Sequence, residues 1–356
     1  MKPRPDPNLA DAMARNDFTT FATKCFETLN PGKTLKSNWH IEAQAFALEQ
    51  VWHGNTKRLI INLPPRSLKS TLVSIAFPAF LLGHDPTLRI IVISYSASLA
   101  AALSNEFRAI VSADWYRKLF PKTKISRTKN NEHEVATTAR GFRLATSIDG
   151  TLTGRGGDII ILDDPLKTTD AEFESSREQV NDFFHNTVLS RLDDKVKGAI
   201  ILAMQRIHDE DLTGTLLHKS SGEWKVLKFP AIAEEEERIQ IGADRFHERR
   251  AGDALDAERE PLRVLESLRA GMGPRLFAAQ YQQDPIPSGG NVIKPEWIQL
   301  YDQLPERESP FDVWQSWDTS SGIGGENGYS VCTTWLIRDK NIISSTCCAA
   351  GSIIRR

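Results

Sequence analysis

Three polar residues in a row, Lys69, Ser70 and Thr71, stand between an apolar run and a helix-like run. A lysine followed by a hydroxyl residue at the start of a helix suits a polyphosphate, because the unpaired N–H groups and the positive dipole end face the anion. In such a loop the lysine reaches the β- and γ-phosphates and the serine hydroxyl ligates Mg²⁺. We therefore predict that residues 63–71, LPPRSLKST, form a phosphate-binding loop.

This loop departs from the usual pattern G-x-x-x-x-G-K-[ST] at both glycines, where the chain has Leu63 and Leu68. Leu68 keeps the backbone N–H that contacts phosphate, but a leucine does not readily adopt a positive φ. Pro64 and Pro65 have no N–H group, so the cradle must be built from Arg66 onward. The alternative interpretation is a coincidental Lys-Ser pair at a junction between a strand and a helix.

A second motif is the apolar run 159–164, IIILDD, which ends in Asp163 and Asp164. In nucleotide hydrolases the first acid of such a pair holds Mg²⁺ through its waters and the second polarises the attacking water. Acids that cap the next helix are the alternative. Because the Lys-Ser loop comes first and this strand follows, the order favours an ATPase.

Two further polar residues complete the candidate site. Arg155 lies in the glycine-rich segment 150–157, and an arginine beside the γ-phosphate stabilises the charge of the transition state. Such an arginine is called an arginine finger, and the candidates are Arg66 and Arg155, the latter in its own site or in that of a neighbouring subunit. The alternative for Arg155 is an ordinary exposed loop arginine. Gln205 follows the buried run 199–204, and in translocating ATPases a polar residue at this position senses the γ-phosphate. We interpret the acids of 208–211 as helix caps rather than metal ligands.

The elements that must position these residues alternate between short apolar runs and longer amphipathic runs. Runs dense in β-branched residues and apolar on both faces indicate buried parallel strands. We predict an α/β P-loop NTPase of the additional-strand type with a mostly parallel sheet, then a helical linker region and a second α/β unit. The predicted strands are 58–63, 89–96, 141–146, 158–164, 198–204, 313–320 and 330–338, and the predicted helices include 97–119, 170–192 and 261–283.

Composition and charge narrow the classes of protein. The chain is 40% hydrophobic and 25% charged, as in soluble globular proteins, and it has no run of about 20 apolar residues and no signal peptide, so we expect a cytoplasmic protein. Its four cysteines suggest neither a disulfide framework nor a metal site. Because the 44 basic and 46 acidic residues nearly balance, any surface that binds nucleic acid must be a local basic patch. The best patch is 117–129, which has six basic residues and no acid, with a solvated loop as the alternative.

Taken in order, these motifs resemble the large terminase subunit of tailed bacteriophages and prophages, the motor that packages viral DNA. The resemblance extends from about Phe18 to Arg338 and is most specific in FAAQYQQDPIPSGG, residues 277–290. The segments 39–71, 94–111, 141–167, 203–214 and 224–237 also resemble family segments.

The resemblance implies ATP and Mg²⁺ as ligands and hydrolysis coupled to translocation of double-stranded DNA. It implies a small terminase subunit and a portal protein as partners, a homo-oligomeric ring, no membrane, and the bacterial host cytoplasm as the location. The implied nucleotide-binding residues are His40, Gln44, Arg66, Ser67, Leu68, Lys69, Ser70 and Thr71. The implied catalytic residues are Asp164, Arg155, Arg66 and Gln205, and the implied metal ligands of the ATPase are Ser70 and Asp163.

The family's second domain resembles ribonuclease H and cuts DNA with two Mg²⁺ or Mn²⁺ ions held by acids. Asp318 matches the first ligand, and the partner carboxylates are expected on strands further along. Relatives continue with a segment resembling YYLIDVLRGRLDYPE where this chain has NIISSTCCAAGSIIRR, whose allowed codons can spell HYLIHVLRGRLDYPE in a shifted frame. In addition, Cys347–Ala350 fit no strand of the expected fold. We therefore predict a frameshift near Lys340 and an incomplete and inactive nuclease domain.

The predicted organisation has five parts: an N-terminal segment 1–30, the ATPase domain 31–222, a linker region 223–290, the start of the nuclease domain 291–340 and a frameshifted tail 341–356. Two rival interpretations stay open. One is another P-loop translocase or helicase, against which the 277–290 segment and the position of Asp318 argue. The other is a non-catalytic prophage remnant, which the missing glycines favour.

Overall fold

The structure is a computed structural model that describes residues 7–152, 154–286, 312–318, 330–338 and 341–350. Its contacts divide the chain into two compact units, Met1–Asn291 and Val292–Arg356.

The first unit is built on an eight-stranded sheet with the order β3-β4-β5-β2-β6-β7-β1-β8. The pairs from β5 to β8 are parallel, and only β3–β4 and β4–β5 are antiparallel. The predicted class, α/β with a mostly parallel sheet, is therefore confirmed. The strands are β1 (Arg58–Asn62), β2 (Arg89–Ser94), β3 (Ile125–Asn130), β4 (Glu134–Thr137), β5 (Phe142–Ser147), β6 (Ile159–Asp163), β7 (Ala199–Met204) and β8 (Lys225–Lys228).

Apolar residues on both faces explain why the central strands are buried. In β1, Leu59 and Ile61 face one hydrophobic cluster, whereas Ile60 faces the cluster on the opposite side. This double burial fixes the register, since a slip of one residue would exchange the two faces. Because β6, β7 and β1 are neighbours that pair in parallel, their carboxyl ends lie together at one edge of the sheet.

Helices cover the two faces of this sheet and join its strands. Their bounds are α1 (Pro7–Asn16), α2 (Phe18–Leu29), α3 (Trp39–Trp52), α4 (Phe77–His84), α5 (Ala97–Ser112), α6 (Asp114–Leu119), α7 (Glu174–Asp182), α8 (Leu212–Ser220), α9 (Leu262–Met272) and α10 (Pro274–Gln280).

Three predicted helices are interrupted. The first breaks at Ala113, whose ψ of 143° is extended. The second ends as an α-helix at Asp182 and continues as π-helical and 3-10 turns to Arg191. The third breaks at Gly273, with a φ of 86°, because the following Pro274 disfavours the helical conformation before it and itself begins α10.

The helix after the candidate phosphate loop starts with a π-helical segment, Thr71–Ala76, that runs directly into α4. The Phe77 N–H donates to the Leu72 carbonyl, five residues back. Pro78 lies in the first turn of α4 and has no N–H to give to the Ser74 carbonyl, which is its partner in a regular α-helix. The proline therefore accounts for the irregular hydrogen bonding at this point, as π-bulges commonly mark such interruptions.

The region after β8 completes the first unit. It contains an antiparallel hairpin, β9 (Glu237–Gln240) and β10 (Phe246–Arg249), followed by α9 and α10. A small hydrophobic cluster of Ala231, Leu265 and Phe277 holds α9 and α10 to the residues that follow β8. The Ala231 N–H donates to the Tyr281 carbonyl at 2.7 Å, which ties the 277–286 segment to the residues after β8.

The second unit contains an antiparallel sheet of β11 (Asp312–Asp318), β12 (Ser330–Arg338) and β13 (Asn341–Ala350). The first two strands confirm the predicted ones. Cys347–Ala350 fit no strand of the fold expected from the resemblance, yet they belong to β13 and pair with β12 from Ser330 to Thr333. The frameshift near Lys340 stays a prediction that sequencing of the gene would check.

In the part of the chain that the structure describes, none of the helices has both the length and the apolarity needed to cross a membrane.

Candidate nucleotide site

The backbone of the candidate phosphate loop adopts the left-handed region at two non-glycine residues. Arg66 has a φ of 59° and Leu68 a φ of 61°. Leucine thus adopts the conformation that the sequence argument held to be difficult for it, at a cost of about 1–2 kcal/mol. Its half-buried side chain packs against the core cluster, which offsets part of this strain. The Leu72 N–H donates to the Leu68 carbonyl at 3.0 Å, so the helix begins immediately after the strained residue.

Replacing Leu68 with glycine is expected to leave nucleotide binding at least as tight as in the wild type. Glycine adopts a positive φ without strain and has no Cβ to obstruct a phosphate. The lost leucine packing and the relieved strain are both about 1–2 kcal/mol, so the melting temperature should change little. Leu63→Gly is the matched control: Leu63 is fully buried and has no positive φ, so only destabilisation is expected. Weaker ADP binding by a stable Leu68→Gly variant would contradict this account of the loop.

Side chains of the loop and of the acidic strand end meet directly. Lys69 Nζ lies 2.9 Å from Asp164 Oδ2, and the Lys69 side chain is only 8% exposed. The Ser70 hydroxyl donates to Asp163 Oδ1 at 3.0 Å. The Ser74 hydroxyl donates to Asp163 Oδ2 at 2.6 Å. The structure therefore brings together four of the residues that the sequence predicted, and it adds Ser74.

Asp163 is a completely buried carboxylate. Burial and, to a lesser extent, the adjacent Asp164 raise its pKa to about 6, although Lys69 and the two serine hydroxyls act in the opposite direction. A site of this kind favours binding of a cation that replaces the missing solvation of the carboxylate.

Ser70 and Asp163 fit a magnesium ion by the chemistry of their donors. Both offer hard oxygen atoms, and Mg²⁺ in phosphate-transfer sites commonly takes one or two protein ligands and fills the rest with phosphate and water oxygens. Among the described residues, no group of three or more His, Cys, Asp or Glu side chains is arranged to hold a metal ion. The pair would therefore hold Mg²⁺ together with a phosphate rather than alone.

Asp164 is held at the end of β6 in a strained conformation, with a φ of 45°. Its N–H donates to the Ala203 carbonyl at 2.9 Å, and the Gln205 N–H donates to its Oδ1 at 3.3 Å. Strained residues of this kind concentrate at functional sites. These contacts hold the Asp164 carboxylate between Lys69 and the end of β7.

Gln205 contacts both the Asp164 carboxylate and Thr168. Its Nε2 donates to the Thr168 hydroxyl at 3.1 Å, while its Oε1 is buried and has no hydrogen-bond partner among the described residues. The next residue, Arg206, donates its N–H to Gln283 Oε1 at 2.9 Å. The end of β7 is thus in contact with both Asp164 and the 277–286 segment.

A second group of predicted residues lies where α3 contacts the loop. Gln44 Nε2 donates to the Ser67 carbonyl at 3.4 Å and to the His40 carbonyl at 3.2 Å. His40 Nδ1, Gln44 Oε1 and Ser67 Oγ are buried and have no partner among the described residues. Burial lowers the pKa of His40 to about 4, so the imidazole is neutral at pH 7. Three unsatisfied polar groups beside a phosphate loop suit a polar ligand such as a nucleotide base.

The two candidate arginine fingers are in different places. Arg66 is exposed in the loop, and its carbonyl accepts a hydrogen bond from Arg259, which the sequence analysis did not single out. Arg155 Nη2 lies 3.0 Å from Glu134 Oε1 on β4, and its guanidinium lies over the Phe142 ring at 4.7 Å. Because β4 is separated from β6 by β5 and β2, Arg155 does not reach the site of its own chain.

Ser74 and Arg143 are the main residues that the sequence analysis missed. Ser74 stands four residues after Ser70, a spacing that places two hydroxyls on one helical face and could have indicated it. Arg143 gave no such signal, because it lies within a strand far from the motifs in sequence. Of the acids at 209–211, Asp211 caps α8 as predicted, by accepting from the Gly214 N–H at 3.0 Å.

Comparisons with known proteins agree with this architecture. No protein-family model matches the chain. No curated protein matches it either. Sixteen chains among the solved structures do match.

The HK97 bacteriophage large terminase is 14% identical, with 93% of this chain and 67% of that chain covered and a TM-score of 0.50. The Thermus phage P74-26 large terminase ATPase domain is also 14% identical, with 66% and 90% covered and a TM-score of 0.44. The large terminase of the thermophilic bacteriophage D6E in complex with ATP-gamma-S is 9% identical, with 85% and 67% covered and a TM-score of 0.42. This chain therefore has the α/β fold of the bacteriophage large terminases.

Proposed function

We propose that this chain is a terminase-like ATPase that couples ATP hydrolysis to movement of double-stranded DNA into a procapsid. One observation carries the proposal: Lys69 and Ser70, at the start of a helix, directly contact the paired carboxylates Asp164 and Asp163 at the end of a parallel strand. This is the arrangement that binds and hydrolyses a nucleoside triphosphate. The terminase fold supports the assignment to a packaging motor.

The contacts within the site suggest how hydrolysis proceeds. The N–H groups of Leu68, Lys69 and Ser70 would cradle the phosphates, and the Lys69 ammonium would move from Asp164 to the β- and γ-phosphates. Asp164, released from its ion pair, could then orient the attacking water and accept its proton. Mg²⁺, held by Ser70 and Asp163, would supply neutralisation of the phosphate charge.

His40, Gln44 and Ser67 would bind the base. Thr71, the first residue of the π-helical segment, belongs to the proposed nucleotide-binding residues as well. Arg66 is the candidate finger within the chain. Arg155 is a candidate only across a subunit interface, as in the homo-oligomeric ring that the resemblance implies. Gln205 would respond to the presence of the γ-phosphate, and the neighbouring Arg206, which contacts Gln283, would transmit the change to the 277–286 segment.

A small terminase subunit, a portal protein and a location in the bacterial cytoplasm belong to the same proposal. Asp318, the last residue of β11, stays the predicted first ligand for the Mg²⁺ or Mn²⁺ of a nuclease site, and its side chain lies outside the described residues.

The basic segment 117–129 is the best candidate surface for DNA. All six of its basic side chains are exposed. Arg117 and Lys129 lie 3.6 and 3.4 Å from the carboxylates of Asp114 and Glu134. Among the described residues, no ion pair is formed by the other four, Lys118, Lys122, Lys124 and Arg127. Unpaired exposed cations on α6, on β3 and in the loop between them suit the regularly spaced charges of a DNA backbone.

ATP hydrolysis by the purified chain, with and without double-stranded DNA, tests this function. We expect hydrolysis that DNA stimulates, and we expect the triple variant Lys122→Ala/Lys124→Ala/Arg127→Ala to lose the stimulation while it keeps the DNA-free rate. The dependence of log K on log salt for DNA binding should become shallower by up to about 2.7, because each lost phosphate contact contributes about 0.9.

A matched control removes three exposed lysines elsewhere on the same unit, Lys195, Lys197 and Lys219. This control should keep both the DNA stimulation and the salt dependence. Equal losses in the two triple variants would show that the effect is one of net charge and not of this surface. A wild-type chain that hydrolyses no ATP would contradict the proposed function.

A further inference from the structure

Arg143, on β5, is a completely buried arginine that no step of the proposed hydrolysis uses. Its Nε and Nη2 both donate to the Ser74 carbonyl, at 3.4 and 3.2 Å. Its guanidinium lies over the Phe107 ring at 5.2 Å, and its Nη1 is buried without a partner among the described residues. Burial lowers its pKa to about 9 and the Asp163 carboxylate opposes this, so the group is charged at pH 7. A buried charge is expensive to retain unless it has a specific partner.

The sequence explains why the Ser74 carbonyl needs a side-chain donor. In a regular α-helix this carbonyl would accept from residue 78, but Pro78 has no N–H. The π-helical segment Thr71–Ala76 lies at this interruption. Arg143 supplies two N–H donors to the carbonyl that the proline leaves without its usual partner, and it thereby fixes the backbone of Ser74.

Ser74 also contacts the metal-facing carboxylate of Asp163, through its hydroxyl group. The Ser74 hydroxyl donates to Asp163 Oδ2 at 2.6 Å, and the Ser70 hydroxyl donates to Oδ1 at 3.0 Å. Each oxygen of Asp163 therefore has one hydroxyl donor from the irregular helix, and the orientation of the carboxylate depends on where that helix places Ser74. A continuous chain of contacts runs from Arg143 through Ser74 to Asp163.

We propose that Arg143 is a positioning residue for Asp163: it anchors the Ser74 carbonyl, so that the Ser74 hydroxyl orients the carboxylate that faces the metal. The inference rests on the proposed function, since it concerns the Mg²⁺ site of that ATPase. Outer residues that orient a metal ligand typically change metal affinity about 10–100-fold when they are replaced. A residue that served only to fill the core would affect the fold and all ligand binding alike.

The test is calorimetric binding of ADP to the full chain, in EDTA and in Mg²⁺, for the wild type, Arg143→Met, Arg143→Lys and Ser74→Ala. We expect the factor by which Mg²⁺ tightens ADP binding to fall about 10-fold in Arg143→Met and in Ser74→Ala, while the affinity in EDTA is retained. Arg143→Lys, which keeps the charge but cannot form the same forked contact, should fall between the wild type and Arg143→Met. The double variant Arg143→Met/Ser74→Ala should lose no more than either single variant, because both act through one chain of contacts.

Arg177→Met is the matched control, because Arg177 is also buried and also donates to a backbone carbonyl, that of Ala171 at 2.8 Å. It should retain the Mg²⁺ effect. Equal loss of binding in EDTA and in Mg²⁺, or an unchanged Mg²⁺ effect, would overturn the inference for Arg143. If Arg143→Met fails to fold, Ser74→Ala decides: an unchanged Mg²⁺ effect in that variant overturns the proposal. A wild type that binds no ADP refutes the proposed function instead.

Discussion

Replacing Lys69 with alanine is expected to weaken ADP and ATP binding about 100-fold. A hydrogen bond to a charged group contributes up to about 3 kcal/mol, which corresponds to that factor. The variant also leaves Asp163 and Asp164 beside the phosphates without the ammonium that pairs with Asp164 at 2.9 Å, so charge repulsion adds to the loss. Fluorescence titration with a labelled ADP measures the effect, and thermal melting confirms that the variant is folded.

Lys24→Ala is the matched control for this variant. Lys24 forms an ion pair with Asp11 at 2.8 Å in the same unit, but it is on α2 and takes no part in the candidate site. Its loss should leave nucleotide binding unchanged. Wild-type affinity in Lys69→Ala would show that the 63–71 loop is not the phosphate site.

Replacing Asp164 with asparagine is expected to lower kcat about 10²–10⁴-fold and to leave nucleotide binding equal or tighter. The amide cannot accept the proton of the attacking water, and general-base catalysis contributes a factor of about this size. Removal of the negative charge also frees Lys69 for the phosphates, which explains the expected direction of the binding change. Single-turnover hydrolysis of ATP, measured alongside ADP binding, separates the two effects.

Asp158→Asn serves as its control, because Asp158 stands just before the opposite end of β6 and accepts from the Arg89 N–H at 2.8 Å. Hydrolysis should continue in that variant. An Asp164→Asn chain that hydrolyses ATP at the wild-type rate would remove Asp164 from the mechanism and leave Asp163 as the remaining acid.

The parallel sheet and the meeting of Lys69, Ser70, Asp163 and Asp164 could be predicted because both depend on local patterns. Runs that are apolar on both faces indicate buried parallel strands, and residues at the carboxyl ends of neighbouring strands must share an edge. The order of the motifs then determines which side chains can meet.

Features that depend on backbone irregularity were harder to predict. The positive φ of Leu68 is imposed by the tight path of the loop against a preference of leucine for other conformations. The break at Gly273 had a local signal, the Gly-Pro pair, which the apolar periodicity around it outweighed in the prediction. The contact of Arg143 with Ser74 joins residues 69 positions apart, and no local pattern reveals such a pair.

The strand at the end of the chain shows a different cause of error. Its segment contains Ile342, Ile343 and Thr346, which favour strands by local propensity. The expectation that Cys347–Ala350 would not join a strand came from the resemblance to a family and not from these residues. The pairing of β13 with β12 follows the local propensity instead.

The most direct test of the central claim is a crystal structure of the chain with ADP and Mg²⁺. We predict that the β-phosphate lies within hydrogen-bonding distance of the Leu68, Lys69 and Ser70 N–H groups, with the base beside His40 and Gln44. ADP bound elsewhere, or no ADP at saturating concentration, would contradict the claim that this glycine-free loop binds phosphate.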